Sequence, residues 1–453
     1  MKKLGFLSIF FIATLSVTLL LAGCGGGEEE VCVNRASEGV VYNFDQDFSE
    51  TVELRVWTDD EDYFLAIKEA FEEQNPDITL NFTEVGNVDT RQRLELYSGS
   101  SQAADVVLYP HDHIGAALQS GLLASIEGTF ADDLRSRMID SAWQTASACY
   151  DFSNNEIEDC DDPATEGTLF GAPLIGESVA LFYNRALLEE LTGSPTPPAR
   201  FEDILDQASD PAMAEFLDGN PIIGLDVGNA YDMQFIATAF GFELFGPDGL
   251  DPLSSNLGSQ EMIDALNFFN QEVRPALGNL TASDLSGEAN RTLFEEGKIP
   301  YIIDGPWSIS RYENAEVDYG VDLIPTIRGE RPTSFSGVIM ASVYRQSPNP
   351  DAAFRLLEFM TSVDGLEILY EQKGVLPALK DVSVVPGVAE DENLAGISAQ
   401  LNYSQPMPII PEMGFFWSNA GSMYTNAWNG IVSPAEAAET AENGFTAQSG
   451  IGN

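Results

Sequence analysis

Residues 105–126, DVVLYPHDHIGAALQSGLLASI, open as a short apolar strand and continue as a helix. A strand feeding a helix is the repeating step of a parallel α/β sheet. The same stretch holds both histidines of the chain, His111 and His113, on either side of Asp112. Three readings compete for them: a metal site, a catalytic pair, or the lip of a binding cleft. Imidazole is a common metal ligand, but a metal centre needs a third and usually a fourth protein ligand. The sequence offers no further histidine and no cysteine cluster, so only carboxylates are left to complete one. No metal or cofactor is therefore expected, and the choice between a catalytic pair and a cleft lip rests on the segments around this one.

Outward from this segment the rhythm repeats. On the N-terminal side, VELRVWT alternates as a half-buried strand does, with Val52, Leu54 and Val56 on one face. The helix YFLAIKEAFEEQNP follows, with Phe64, Ile67, Ala70 and Phe71 on one side and Asn75-Pro76 as its stop. ITLNFTEV then supplies another strand. On the C-terminal side come ESVALFYNRALLEEL, the strand KIPYIIDGPW, the strand SGVIMASVY and two helical runs from Pro350 to Gly374. A chain of 453 residues exceeds one ordinary core and calls for two domains. No single linker divides it, so the expected fold is α/β with several crossings between domains.

The N-terminus reads as an export signal: Lys2 and Lys3, an apolar run from Leu4 to Ala22, then Gly23-Cys24. The run is nearly long enough to span a bilayer, but LLLAGC resembles a bacterial lipobox, in which the leader is cut before the cysteine and the thiol is lipidated. On that resemblance 1–23 is a signal peptide, Cys24 carries lipid, and 24–50, beginning GGGEEE after the cysteine, is a flexible tether. The protein is then exported and held at the cell membrane by lipid, facing the periplasm or the outside. There, Cys149 and Cys160 can close the acidic loop CYDFSNNEIEDC as a disulfide. A metal loop is the other reading of that segment, although its carboxylates do not follow EF-hand spacing. Cys32 falls in the tether without a partner in this reading.

Seventy-two acidic against 21 basic residues give a formal net charge of −51. That excludes nucleic acid and anionic lipid surfaces as natural partners. It suits a saline medium, where the Debye length falls to about 3 Å at 1 M salt and an acidic shell is screened.

Five segments in order resemble the extracellular solute-binding proteins of ABC importers, in particular the maltose-binding group. They are the opening stretch through QSGLLA, APLIGESVALFYNRALL, DGPWSISRYENAEVDYGVDLIPT, FSGVIMASVYRQSPNPDAAFRLLEFMTSVDGLE and MPIIPEMGFFW. The resemblance implies a two-lobed periplasmic-binding-protein fold, type II, with crossings near 175, 337 and 385 and a sugar cleft between the lobes. It implies an N-terminal lobe of 52–175 plus 338–384 and a C-terminal lobe of 176–337 plus 385–450. By family position, Tyr109 stands for a stacking tryptophan, Asp112 for a hydroxyl-binding aspartate and His113 for a neighbouring arginine. Glu177 stands for a hydroxyl-binding glutamate, Tyr231 for a ring-contacting tyrosine, and Trp307 and Trp417 for stacking tryptophans. In the first loop, WTDDEDY, Asp60 and Glu61 take the place of an aspartate–lysine pair, and the lysine contact is absent. Asn229 replaces a carboxylate, and Gly421 replaces an arginine. Sugars need carboxylates or amides for hydroxyl pairs and flat aromatics for their C–H faces, and this set supplies both.

The implied function is a non-enzymatic, monomeric sugar-binding lipoprotein. It captures maltose, maltodextrin or a related α-glucoside such as trehalose and hands it to the permease subunits. Two alternatives use the same residue types: a glycoside-acting enzyme built on paired carboxylates, and a sugar-sensing surface lipoprotein. No Ser-His-Asp order, P-loop or dinucleotide fingerprint points to other chemistry; the GGG at 25–27 lacks the strand and helix such a motif requires.

Overall fold

The computed structural model describes residues 48, 50–153, 156–157, 167–247 and 249–450. The leader, Cys24, Cys32, Cys160 and the tether apart from Phe48 and Glu50 lie outside the described residues. Cys149 is disulfide-bonded.

Strand β1 (Val52–Thr58) buries Leu54 and Val56 and exposes Glu53 and Arg55, as its alternation predicts. Helix α1 (Glu61–Gln74) follows, capped by Asp60, whose Oδ1 accepts the Tyr63 N–H at 2.8 Å. Phe64, Ile67 and Phe71 form its buried stripe and Asn75 ends it. Strand β2 (Ile78–Glu84) and β3 (Val106–Pro110) both run parallel to β1. Between them, α2 (Asn87–Tyr97) carries little apolar surface and only Thr90 and Leu94 are buried. β4 (Ala172–Ser178) pairs elsewhere in the same sheet, and after the single residue Val179 the chain enters β5 (Ala180–Asn184) of a second sheet.

The second sheet has the order β6–β7–β5–β8, with β6 (Ile223–Gly224), β7 (Tyr301–Asp304) and β8 (Tyr319–Asp322). Then β9 (Ser334–Val343), ten residues and buried throughout, returns to the first sheet and pairs antiparallel with both β3 and β4. β10 (Ser404–Pro406) completes that sheet, pairing parallel with Ser334–Ser336 at the start of β9. The fold is therefore α/β with mixed sheets. β9 in the first sheet, antiparallel to β3 and β4, and β5 in the second, antiparallel to β7 and β8, are the departures from a purely parallel rhythm.

Two buried apolar clusters form, and sheet two contributes to both. In β5, Ala180 and Phe182 join the first cluster while Leu181 and Tyr183 join the second. In β7, Ile302 joins the first and Tyr301 and Ile303 the second. The period-two alternation of a strand separates the two faces. Along β9 the change occurs within one strand, from Phe335 in the second cluster to Val338 in the first. The last change falls between Ile397 and Met407, C-terminal of the crossing expected near 385.

His111 is locked at this junction. Fully buried, its Nδ1 accepts the Val338 N–H at 3.0 Å and its Nε2–H donates to the Met407 carbonyl at 2.9 Å. One neutral imidazole thus ties the turn after β3 to two crossing segments, and burial holds its pKa below the usual histidine value. Its role is structural.

Candidate functional site

A cleft of about 1660 Å³ draws its walls from strands of the first sheet and from loops and helices that follow strands of the second, such as those carrying Tyr231 and Trp307. That is above the ~300–1,000 Å³ of ordinary small-molecule pockets, so there is room for an extended ligand.

One wall is polar and charged. Asp59 sits at the end of β1, followed by the cap of α1, and its Oδ1 accepts Lys373 Nζ at 2.9 Å. Its Oδ2 accepts the Asn87 amide at 2.8 Å. Lys373 closes helix α3 (Val363–Lys373), where a cation also suits the carbonyl end of the helix dipole. It reaches Asp60 Oδ2 at 3.6 Å as well. A lysine is therefore present at the first loop, supplied from 314 residues downstream rather than from the loop itself. Asp60 is committed to its helix cap, and Glu61 is exposed in the first turn of α1. Of this loop, Asp59 lines the cleft, whereas Asp60 and Glu61 do not.

Glu177, on β4, lines the cleft half-buried. Its carboxyl folds over Gly337 of β9, where a Cβ would come within 2.8 Å of Oε1. Burial pushes its pKa up to about 7, Lys373 pulls it down, and Asp59 and Asp112 push it further up.

Asp112 and His113 follow β3 in a single 3-10 turn, and both line the cleft. Asp112 is 7% exposed; its Oδ2 accepts the Trp417 indole N–H at 2.9 Å, and its Oδ1 has no partner among the described residues. His113 Nδ1 is likewise unpartnered, and burial lowers its pKa. Tyr109 is not on the wall. It is 2% exposed and lies nearly parallel to the His113 ring, 6.4 Å away. The Ser342 hydroxyl donates to the Phe170 carbonyl at 2.7 Å, so the Tyr109 hydroxyl donates to Ser342 at 2.9 Å. Tyr109 is core, backing His113.

The facing wall is aromatic. Tyr231 sits in the first turn of α4 (Ala230–Ala239), a helix capped by Asn229, whose Oδ1 accepts the Tyr231 N–H at 3.0 Å. That cap is the local use of the residue standing where the family has a carboxylate. The Tyr231 ring lies 6.0 Å from Trp307 and 6.5 Å from Trp417, tilted by 57° and 49°. Its hydroxyl is buried without a partner among the described residues.

Trp307 is 40% exposed, an unusual state for an indole unless the surface serves contact. Its ring folds back over Gly305, where a Cβ would come within 2.3 Å of the indole, so only glycine fits. Its N–H donates to Asp304 Oδ1 at 2.7 Å. Asp304, 1% exposed at the end of β7, also accepts Arg291 through a fork at 2.9 and 3.0 Å, the Gly305 N–H at 2.9 Å and the Tyr312 hydroxyl at 2.6 Å. Trp307 is thus braced by a five-donor carboxylate.

Asp59, Lys373 and the Asp304–Arg291 brace were not anticipated from the sequence. Asp304 was within reach, three residues from Trp307 in DGPW. Lys373 was not, because nothing local ties a helix C-terminus to a loop in another part of the chain. Gly421 packs against the Gly228 carbonyl, 3.1 Å from where its Cβ would lie. Among the described residues no group of three His, Cys, Asp or Glu is arranged to hold a metal ion, and no helix is long and apolar enough to cross a membrane.

The family model described as bacterial extracellular solute-binding protein matches residues 66–396. The chain is similar to the maltooligosaccharide ABC transporter solute-binding lipoprotein of Streptococcus pneumoniae, 26% identical over 441 residues, covering 95% of this chain and 93% of that protein. It is similar to the galactooligosaccharide-binding protein of Bacillus subtilis, 26% identical with 97% of each covered. Among solved structures it resembles a cyclo/maltodextrin-binding protein complexed with maltotetraose, with a TM-score of 0.70 and 25% identity over 90% of this chain and all of that one. The two-lobed architecture is thereby that of the maltose-binding-protein-like periplasmic binding proteins.

Proposed function

Since the chain belongs to the family of bacterial extracellular solute-binding proteins, we propose that it captures maltose, maltodextrin or a related α-glucoside in this cleft and delivers it to the permease of an ABC importer. The observation that carries this reading is the pairing of walls. Tyr231, Trp307 and Trp417 offer flat apolar faces, and Asp59, Asp112, Glu177 and Lys373 offer hydrogen-bonding groups within the same cleft. Stacking aromatics cover sugar C–H faces, and carboxylates bridge hydroxyl pairs. The unpartnered Asp112 Oδ1 and Tyr231 hydroxyl are bonds held open for a ligand.

The sugar touches both walls, so it favours the closed form, and a few kcal/mol of preference for closure is enough to mark the loaded state for the permease. The protein acts without turnover, as a lipid-anchored monomer at Cys24 on the outer side of the cell membrane. The relatives' names, maltooligosaccharide and galactooligosaccharide, both support an oligosaccharide ligand.

Isothermal titration of the full-length protein in detergent tests this against maltose, maltotriose, trehalose, a galactooligosaccharide and glucose, at low and high salt. Micromolar binding of an α-glucoside with no release of new reducing ends is the expected result. Release of reducing ends would instead establish the enzyme, and silence across the panel would remove sugar as the ligand.

A further inference from the structure

Beside Tyr231, the cleft wall includes Asp226, Asp232 and Arg291, none of which belongs to the sugar-contacting set above. Asp232 lies in the first turn of α4 and is only 3% exposed, and its Oδ1 is buried with no hydrogen-bond partner among the described residues. A buried, unpaired carboxyl oxygen destabilises a fold unless something else meets it. Arg291 does not meet it: its Nε and Nη2 are both spent on Asp304. Its Nη1 edge remains outside that fork. Asp226 accepts the Gly287 N–H at 3.0 Å through Oδ2.

We propose that Asp232, together with Asp226 and Arg291, forms a polar annex of the cleft that takes a neighbouring pair of hydroxyls on a neutral saccharide. The proposal rests on the sugar-binding reading and adds a specificity-determining residue to it. The chemistry is complementary: a hydroxyl both donates and accepts, so a pair of them can satisfy a carboxyl and a guanidinium edge at once. Burial, reinforced by Asp304 and Asp226, raises the Asp232 pKa well above the ordinary aspartate value, against the opposing pull of Arg291. That shift favours the protonated carboxyl, which donates to a neutral hydroxyl and does not need a cation. With Asp232 protonated, the two carboxylates of Asp226 and Asp304 still outnumber the one guanidinium, which makes the annex hostile to uronates and other anionic sugars.

The position of Asp232 gives a test that a merely structural residue would fail. Replacing a buried, unsatisfied carboxyl by an apolar side chain of similar volume relieves the fold, so Asp232→Leu is expected to melt at the same temperature or higher while binding weakens. Asp232→Asn keeps a neutral hydrogen-bonding group. Titration of the full-length protein with maltotriose, and thermal melts without sugar, compare both variants with wild type. The expected result is affinity lowered at least tenfold in Asp232→Leu at an undiminished melting temperature, and within threefold of wild type in Asp232→Asn. Unchanged affinity in Asp232→Leu overturns the annex while leaving the sugar-binding reading in place. A fall in melting temperature alongside the affinity also overturns it, by making Asp232 structural. Wild-type protein that binds no saccharide of the panel removes the sugar-binding reading itself, and the annex with it.

Discussion

The two walls of the cleft are built in different ways. The aromatic wall is assembled largely from local parts: Asp304 orients Trp307 three residues later, and Asn229 caps the helix that carries Tyr231 two residues later. The charged wall is assembled from distant parts, with Lys373 reaching Asp59 across 314 positions and Glu177 resting on Gly337 of another strand. The stacking surface is thus preset by short motifs, while the hydrogen-bonding surface exists only when the sheet has closed around it. Trp417 joins the two, since its indole N–H donates to Asp112 at 2.9 Å.

The aromatic wall is therefore expected to fail as a unit and the charged wall by degrees. The largest effect is expected from Asp304→Ala. It strips Arg291, Tyr312 and Trp307 of a shared buried partner and should cost about 3–5 kcal/mol of stability, the range for orphaning a buried ion pair. Urea unfolding measures it, and a loss below about 1 kcal/mol would mean that the brace is dispensable.

Trp307→Ala removes the exposed stacking face and one of the five donors to Asp304, leaving Arg291, Gly305 and Tyr312 in place. Affinity for the α-glucoside proposed as ligand should fall at least tenfold, about 1.4 kcal/mol, with the melting temperature nearly unchanged. Unchanged affinity would take Trp307 out of the site.

On the opposite wall, Lys373→Met should cost no more than about 1 kcal/mol of stability, because the ion pair is partly solvated. Its sharper signature is electrostatic. Lys373 is the group that pulls the Glu177 pKa down, so its removal should move the Glu177 titration to higher pH, followed by carbon-13 shifts of the labelled carboxyl. A titration that stays where it was would show that the two do not interact.

The smallest effect is a slope. The folded pKa of Glu177, about 7, lies above the ordinary glutamate value of roughly 4.3, so between those values the folded protein holds a proton that the unfolded chain has lost. Its contribution to stability is present below about pH 4.3 and is lost as pH rises through 7. The buried, neutral His111 acts in the opposite sense, withdrawing stability as pH falls below about 6.5. Glu177→Gln should therefore remove only the first slope, so the difference between variant and wild-type melting temperatures changes across pH 4.5–7.5. A constant difference would place the titration elsewhere.

Legibility followed the same division. The stripe of α1, the alternation of β1 and the buried run of β9 were readable because each depends on the period of one element. Trp307 and Trp417 were readable because each sits in a short motif. Asp60 and Tyr109 show where this kind of reading stops. Asp60 has the right chemistry one position too late and spends it on a helix cap, while Tyr109, on the last strand before the cleft, turns inward to Ser342. A one-residue step along a strand or cap exchanges a ligand for a structural bond, and residue type alone does not reveal which has happened.

By itself, the sequence established an acidic α/β chain with an export-type leader, and five short motifs whose resemblance to the extracellular solute-binding proteins implied two lobes and a cleft of aromatics and carboxylates, because composition, periodicity and short motifs are properties of neighbouring residues. The tertiary structure alone decided that Asp59 rather than Asp60 faces the cleft, that a lysine from the end of α3 serves the first loop, and that Asp232 is buried without a partner. Those are outcomes of strand order and helix docking, which bring together residues hundreds of positions apart, and no local pattern along the chain encodes the meeting.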